Sequence, residues 1–184
     1  MSLVAALPSV TSAQETLPTP APVPQPRAPG TFGFGHSATA DDVAAINIDV
    51  RPDGAGLPPG SGTAADGASI FVQKCSVCHG PNGEGTSAAP KLIDPTPFQT
   101  GVTTPTVGNY WPYATTVWDY INRAMPFDRP GSLDANEVYA LTAFLLAQNQ
   151  IIGNNDAMNA QTLPKVKMPN ASGFDSPDPR PDVR

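Results

Sequence analysis

Three stretches of the sequence place apolar residues three or four positions apart, which is the spacing of one face of an α-helix. The first stretch lies between residues 63 and 75, the second ends at residue 124, and the third spans residues 135–148. Their apolar positions are Ile70 and Phe71 in the first, Val117, Trp118 and Ile121 in the second, and Val138, Leu141, Phe144 and Leu145 in the third. The pattern predicts three helices that face a common core.

Residues that can cap a helix stand at the start of several segments. In a capping box, the first side chain accepts a hydrogen bond from the backbone three residues on, and the side chain there bonds back. The pattern occurs three times, as Thr39 with Asp42, Thr63 with Asp66, and Asp134 with Glu137. The first pair predicts a further short helix after Thr39. Around the third pair, Leu133 and Val138 can form a hydrophobic staple.

Gly67 lies inside the first core-facing helix. A glycine in a helix interior costs about 1 kcal/mol relative to alanine. We therefore expect another helix to pass so close to residue 67 that a side chain would not fit there.

Proline divides the chain into a helical centre and two proline-rich ends. The 23 prolines are too many for one compact helical domain, and their alternation near the start favours a polyproline II spacer. We predict a signal-peptide remnant at 1–13, a proline-rich linker at 14–35, an extended strap at 36–62, a helical domain at 63–152 and an extended C-terminal tail at 153–184. The strap and the tail have few apolar residues, so each must lie on the helical domain or on a partner.

The overall charge limits the kinds of partner. The formal net charge of -6 argues against nucleic acid, because its phosphate backbone would be repelled. No apolar run reaches the roughly 18 residues of a membrane span. Partners are therefore expected to be proteins, recognised partly through charge.

The chemistry of the chain is concentrated in the run Cys75-Ser76-Val77-Cys78-His79. This C-x-x-C-H pattern is typical of covalent attachment of a c-type haem, with the histidine as an axial ligand of the iron. A structural zinc ion would need four ligands, and His36 is the only other histidine or cysteine in the chain. A redox C-x-x-C motif would need a βαβ context, and a simple disulfide would give His79 no role. The motif therefore predicts one covalent haem c.

The sixth iron ligand decides between electron transfer and ligand chemistry. Met125 follows the second helix and precedes Pro126, which biases its backbone toward an extended conformation and ends the helix. We predict Met125 as the sixth ligand. Met168, which also precedes a proline, and then Met158 are the alternatives.

The residues Gly67, Phe71 and Phe144, together with the haem motif, resemble those of class I cytochromes c. In that superfamily the first and last helices cross closely at a glycine and two aromatic residues. The resemblance implies an all-α fold, the class I cytochrome c fold, with crossing N- and C-terminal helices around one covalently bound haem and with long irregular extensions. The run Ala89-Pro90-Lys91-Leu92 is similar to a family loop.

In that family loop the proline carbonyl accepts a hydrogen bond from the haem-ligating histidine, and the leucine packs on the haem ring. The resemblance therefore implies these roles for Pro90 and Leu92, next to His79. Tyr110, Trp111 and Tyr113 are candidates for donating hydrogen bonds to the haem propionates. Packing at the rim of the domain is the alternative role for these three aromatic residues.

A narrower resemblance involves three segments outside the haem motif, namely 49–62, 110–117 and 163–170. They are similar to the monohaem cytochrome c subunits of bacterial sulfite and sulfane dehydrogenases. The resemblance implies electron transfer without catalysis by this chain. Electrons would come one at a time from a molybdenum-cofactor subunit and pass to a downstream cytochrome c or oxidase.

Two other functions compete with this interpretation. One is a freestanding electron carrier that serves several oxidoreductases, and the other is a haem enzyme or gas sensor with an open iron site. A methionine ligand argues against the open site. Attachment of c-type haem takes place outside the bacterial cytoplasmic membrane, so we expect the protein to be periplasmic.

Overall fold

The computed structural model describes residues 35–101 and 103–174. The expected signal-peptide remnant, nearly all of the proline-rich linker and the end of the tail lie outside these residues. In the described part, five helices and two short strands belong to the unit that begins at Ala38. The helices are α1 (Ala40–Ile46), α2 (Ala64–Lys74), α3 (Ser76–His79), α4 (Ala114–Ala124) and α5 (Ala135–Gln148). The strands are β1 (Ser61–Thr63) and β2 (Ala157–Asn159).

The predicted capping boxes are confirmed at the starts of α1, α2 and α5. At α2, the backbone N–H of Thr63 donates to Asp66 Oδ2 at 3.1 Å, and the N–H of Asp66 donates to Thr63 Oγ1 at 3.3 Å. Hydrogen bonds from the Thr63 side chain and backbone hold the pKa of Asp66 below its ordinary value, because they favour the carboxylate. These contacts explain why the three helices start where the sequence predicts.

Helices α2 and α5 cross at Gly67, as the glycine predicts. A β-carbon at residue 67 would overlap the carbonyl oxygen of Ala140 and would lie 2.7 Å from Phe144 Cβ. One turn on, the rings of Phe71 and Phe144 have centroids 5.0 Å apart. The crossing places the middle of α2 on the middle of α5, and at the end of α2, just before the haem motif, Lys74 Nζ donates to Glu137 in the first turn of α5.

The core lies mainly between α2, α4 and α5. Its side chains are almost completely buried, and the largest are Trp118, Tyr139, Phe71, Leu146, Leu163, Val117 and Val138. Leu163 comes from the tail, in a short 3-10 helix at Leu163–Lys165. No helix in the described part of the chain combines the length and the hydropathy of a membrane span.

The strap lies on the helical domain from Asp49 onward. Its backbone is held there by side chains of α4 and α5: Val50 N–H donates to Asp119 Oδ1 at 3.2 Å, and Pro58 O accepts from Tyr139 Oη at 2.9 Å. Val50 and Leu57 also pack against the core. The sequence left open whether the strap lies on its own domain or on a partner. In the structure it lies on its own domain.

Strand β1, at the end of the strap, pairs with β2 of the tail in an antiparallel ladder that we call the clasp. Ser61 lies opposite Asn159, and Thr63 lies opposite Ala157. Gly62, between them, is so close to Ala140 of α5 that a β-carbon would overlap the helix backbone. The clasp therefore joins the strap and the tail directly on top of α5.

The tail also packs on its own domain as far as residue 170. Leu163 is 0% exposed and Met168 is 4% exposed. Asn170 Nδ2 donates to the carbonyl oxygen of Tyr110 at 2.7 Å. At these residues the tail lies on its own domain, which is one of the two surfaces that the sequence left open.

Candidate haem site

The two cysteines of the motif follow the end of α2. Cys75 caps α2, its N–H donating to Phe71 O at 2.9 Å, and Cys78 lies on the single turn of α3. Both thiols are free; Cys75 is half-buried and Cys78 is exposed. The sulfur atoms are thus available for bonds outside the chain.

Burial favours an uncharged sulfur at Cys75. Loss of hydration raises the pKa of its thiol to about 11, although the nearby charge of Lys74 acts in the opposite direction. A thiol in this setting stays neutral at ordinary pH, and a thioether is neutral at any pH. The environment therefore fits a sulfur that is alkylated by a haem vinyl group.

His79 is oriented by the loop that follows it. Its Nδ1 lies 2.8 Å from the carbonyl oxygen of Pro90, a contact that requires a proton on Nδ1 and leaves the lone pair of Nε2 for a metal. The loop is closed by two hydrogen bonds, from Gly85 N–H to His79 O at 2.7 Å and from Leu92 N–H to Gly83 O at 2.8 Å. The contact is the one expected for Pro90, while its role toward a haem stays a prediction.

Asn149 holds this loop against the end of α5. This role was not predicted from the sequence. Its Oδ1 accepts from Asp94 N–H at 2.8 Å, and its Nδ2 donates to Leu92 O at 3.2 Å. The residue caps α5 and is only 5% exposed. A polar residue at the predicted end of a helix is a signal that the sequence contains. Its partners could not be found from the sequence, because they lie more than fifty positions away.

The described residues offer partly buried apolar side chains for a large apolar group, and not a ligand set for a bare metal ion. Partly buried apolar side chains border the core, among them Ile70, Leu92, Ile93, Val107, Trp111, Met125 and Phe144. Within 35–101 and 103–174, no group of three His, Cys, Asp or Glu side chains is placed to hold a metal ion. The alternative of a zinc site therefore lacks a ligand set there, and the donor atoms present fit a haem.

Met125 lies where α4 ends. Its backbone is extended, with φ -122 and ψ 147, and its N–H donates to Ile121 O at 3.1 Å. The extended backbone before Pro126 is as predicted. Met125 is half-buried at the edge of the core, whereas Met158 and Met168 are each 4% exposed inside it. The assignment of Met125 as iron ligand stays a prediction.

The three aromatic candidates lie in different settings. Tyr110 packs edge-on against Phe98 and Phe174, with centroid distances of 4.8 and 5.1 Å. Trp111 packs against Tyr120, and Tyr113, which precedes α4, is 44% exposed. The rings of Tyr110 and Trp111 thus have packing partners, and for all three residues hydrogen bonds to haem propionates stay a prediction.

Comparison with known proteins agrees with these features. Residues 62–145 match the family model described as cytochrome C oxidase, cbb3-type, subunit III. The fold is similar to a chain in the crystal structure of the sulfane dehydrogenase SoxCD from Paracoccus pantotrophus, with a TM-score of 0.72 and 37% sequence identity. The match covers 83% of this chain and 75% of that chain.

The fold predicted from the resemblance is confirmed: the described part is mainly helical, with the crossing of α2 and α5 at its centre. Covalent haem c and electron transfer follow from the same match. The chain therefore belongs to the cytochrome c family, as a class I cytochrome c similar to the SoxCD sulfane dehydrogenase chain.

Proposed function

We propose that this cytochrome accepts electrons from a molybdenum-cofactor sulfite or sulfane dehydrogenase subunit in the periplasm and passes them to a downstream cytochrome c or oxidase. The observation that carries the proposal is the extent of the likeness to the SoxCD chain. The cytochrome family model matches residues 62–145, whereas the likeness to the SoxCD chain covers 83% of this sequence. It therefore includes residues outside the haem domain.

The extra residues matter because the strap and the tail distinguish this chain from a minimal cytochrome. A freestanding carrier needs only a haem domain. The tail buries Leu163 and Met168, and the strap packs Val50 and Leu57 against the core. A shared elaboration of this size supports a shared kind of partner. Residues 63–152 would form the haem domain, with the strap at 36–62 and the tail at 153–184 as its extensions.

The residues that would hold the single haem are those around α3. Cys75 and Cys78 would form thioether bonds, and His79 would ligate the iron through Nε2, oriented by Pro90. Met125 would supply a thioether as the sixth ligand. When bound, the haem iron alternates between Fe(III) and Fe(II) and so carries one electron. A thioether favours Fe(II) and thus a higher reduction potential.

The number of electrons released by the reaction is consistent with substrate oxidation at a molybdenum subunit and electron acceptance by this cytochrome. Oxidation of sulfite to sulfate with water releases two electrons and two protons at the molybdenum. One haem accepts one electron at a time, so each sulfite that is oxidised would reduce the cytochrome twice in succession. The protein groups near His79 are needed to hold the iron, and this chain takes no part in breaking substrate bonds.

Purification from the native host tests the proposal. A tagged form of the full chain should retain a partner that contains molybdenum, and sulfite or a sulfane substrate should then reduce the haem in rapid-mixing absorbance measurements. The matched control is the same preparation washed at high salt to remove the partner, in which substrate should leave the haem oxidised.

Two results would contradict the proposal. One is absence of molybdenum from the purified complex while several unrelated reductases reduce the haem at similar rates, which is the behaviour of a freestanding carrier. The other is recovery of the haem-loaded protein from the cytoplasmic rather than the periplasmic fraction of the cells.

A further inference from the structure

Arg123, in the last turn of α4, joins two carboxylates from different parts of the chain. Its Nε lies 3.0 Å from both carboxylate oxygens of Asp119, and its Nη2 lies 2.5 Å from Asp49 Oδ1 in the strap. Asp119 also accepts a hydrogen bond from the N–H of Val50 at 3.2 Å. We call Asp49, Asp119 and Arg123 the ionic clamp. It fastens the strap to α4 through side-chain and backbone atoms together.

The position of the clamp on α4 connects it to Met125, the candidate sixth ligand. Arg123 is two residues before Met125, which ends the helix and remains bonded to it through Ile121 O. Loosening the last turn would therefore move the backbone of Met125. Other attachments of the strap, at Pro58 and Ser61, are made to α5 instead.

We propose that the ionic clamp positions Met125, so that the strap controls how firmly the thioether is held at the haem iron. This inference rests on the proposed ligand role of Met125. An iron–thioether bond is weak, particularly in the ferric state, so its occupancy depends on how well the loop is held in place. The clamp would act through Met125 and not on the iron directly, so Arg123, Asp119 and Asp49 are positioning residues.

The expected effect is local rather than global. Exposed ion pairs contribute little to the stability of a whole domain, and the Arg123 side chain is 37% exposed. Arginine can engage two carboxylates at once because its guanidinium is a planar fork. A lysine at residue 123 would keep the positive charge but would lack the planar guanidinium group that binds both carboxylates.

The test compares Arg123→Ala with Arg129→Ala in the haem-loaded full chain. Arg129 follows Met125 by four residues in the sequence and pairs with Asp128, but the side chains of Arg129 and Asp128 are both over 70% exposed. The readouts are the red charge-transfer band that marks a ferric iron–thioether bond, and the affinity of added imidazole for the ferric iron. Arg123→Ala should weaken the band and tighten imidazole binding by a factor of about two to five, the size of a lost exposed ion pair. Arg129→Ala should change neither.

Further variants separate positioning from a general loss of structure. Arg123→Lys should restore part of the wild-type behaviour. Asp49→Asn, which removes the negative charge that the strap brings to Arg123 but keeps an acceptor oxygen, should act in the same direction as Arg123→Ala but less strongly. Added salt should shift the wild type toward the Arg123→Ala behaviour and leave that variant almost unchanged, because salt screens exposed charges.

The proposal is overturned if Arg123→Ala and Arg129→Ala bind imidazole equally. It is also overturned if Arg123→Ala changes imidazole binding only in proportion to a lower melting temperature. Met125→Leu, which should abolish the band, checks the ligand itself. A band that survives in Met125→Leu removes the basis of the inference, while the molybdenum result on the native complex stands apart from it.

Discussion

At residue 67 the absence of a side chain sets the distance between α2 and α5. The space that a β-carbon would occupy is already filled by the backbone of Ala140 and by Phe144 Cβ. A backbone oxygen in the middle of a helix cannot move aside as a flexible side chain can. The haem motif begins eight residues later, so this approach of two helices also fixes where Cys75 and His79 lie.

Replacement of Gly67 by alanine is therefore expected to destabilise the protein. Alanine favours the helix by about 1 kcal/mol, but forcing α2 away from α5 outweighs this, and overpacking usually costs about 1–3 kcal/mol. We expect a net decrease in the free energy of unfolding, measured by denaturant titration of the haem-loaded protein. Ser69→Ala, at an exposed position of the same helix, should be nearly neutral. Equal stability of the two variants would mean that the crossing is looser than described.

At the scale of elements, the sequence predicts what depends on neighbouring residues. Residues at most four positions apart are enough to predict the capping boxes of α1, α2 and α5. The same holds for the end of α4, which Pro126 determines. The strap partner of Arg123 could not be assigned in this way, because Asp49 is 74 positions away. For the same reason the sequence left open whether the strap and the tail lie on the domain.

The 3-10 helix of the tail is predicted to be essential for stability. Leu163 is fully buried, and its replacement by alanine should cost about 2–5 kcal/mol, the usual range for a buried leucine. Lys165→Ala in the same element is the control, because Lys165 is exposed. Thermal unfolding of both variants, followed by circular dichroism, checks this. Unchanged melting in Leu163→Ala would favour a partner as the surface that the tail covers.

For the whole molecule, the strap and the tail form one layer. A β-carbon at Gly54 of the strap would overlap the side chain of Pro164 in the tail, and the two segments are joined again at the clasp. Removing either segment would expose the apolar surface of the other, so their contributions to stability cannot be independent. The chain thus has a helical centre and a layer made from both of its flanks.

The direction of the clasp has a mechanical consequence. Because Ser61 lies opposite Asn159 in an antiparallel ladder, the strap and the tail leave it from the same end. Tension applied between residues 48 and 174 would therefore unzip the ladder, so that its hydrogen bonds break one after another and not all at once. We expect the layer to peel off in small low-force steps in an optical-trap experiment, before the α2–α5 crossing gives way. A single large rupture would contradict this order. A pulling force would in this way separate the strap and the tail from the domain before it disrupted the helices that carry the haem motif.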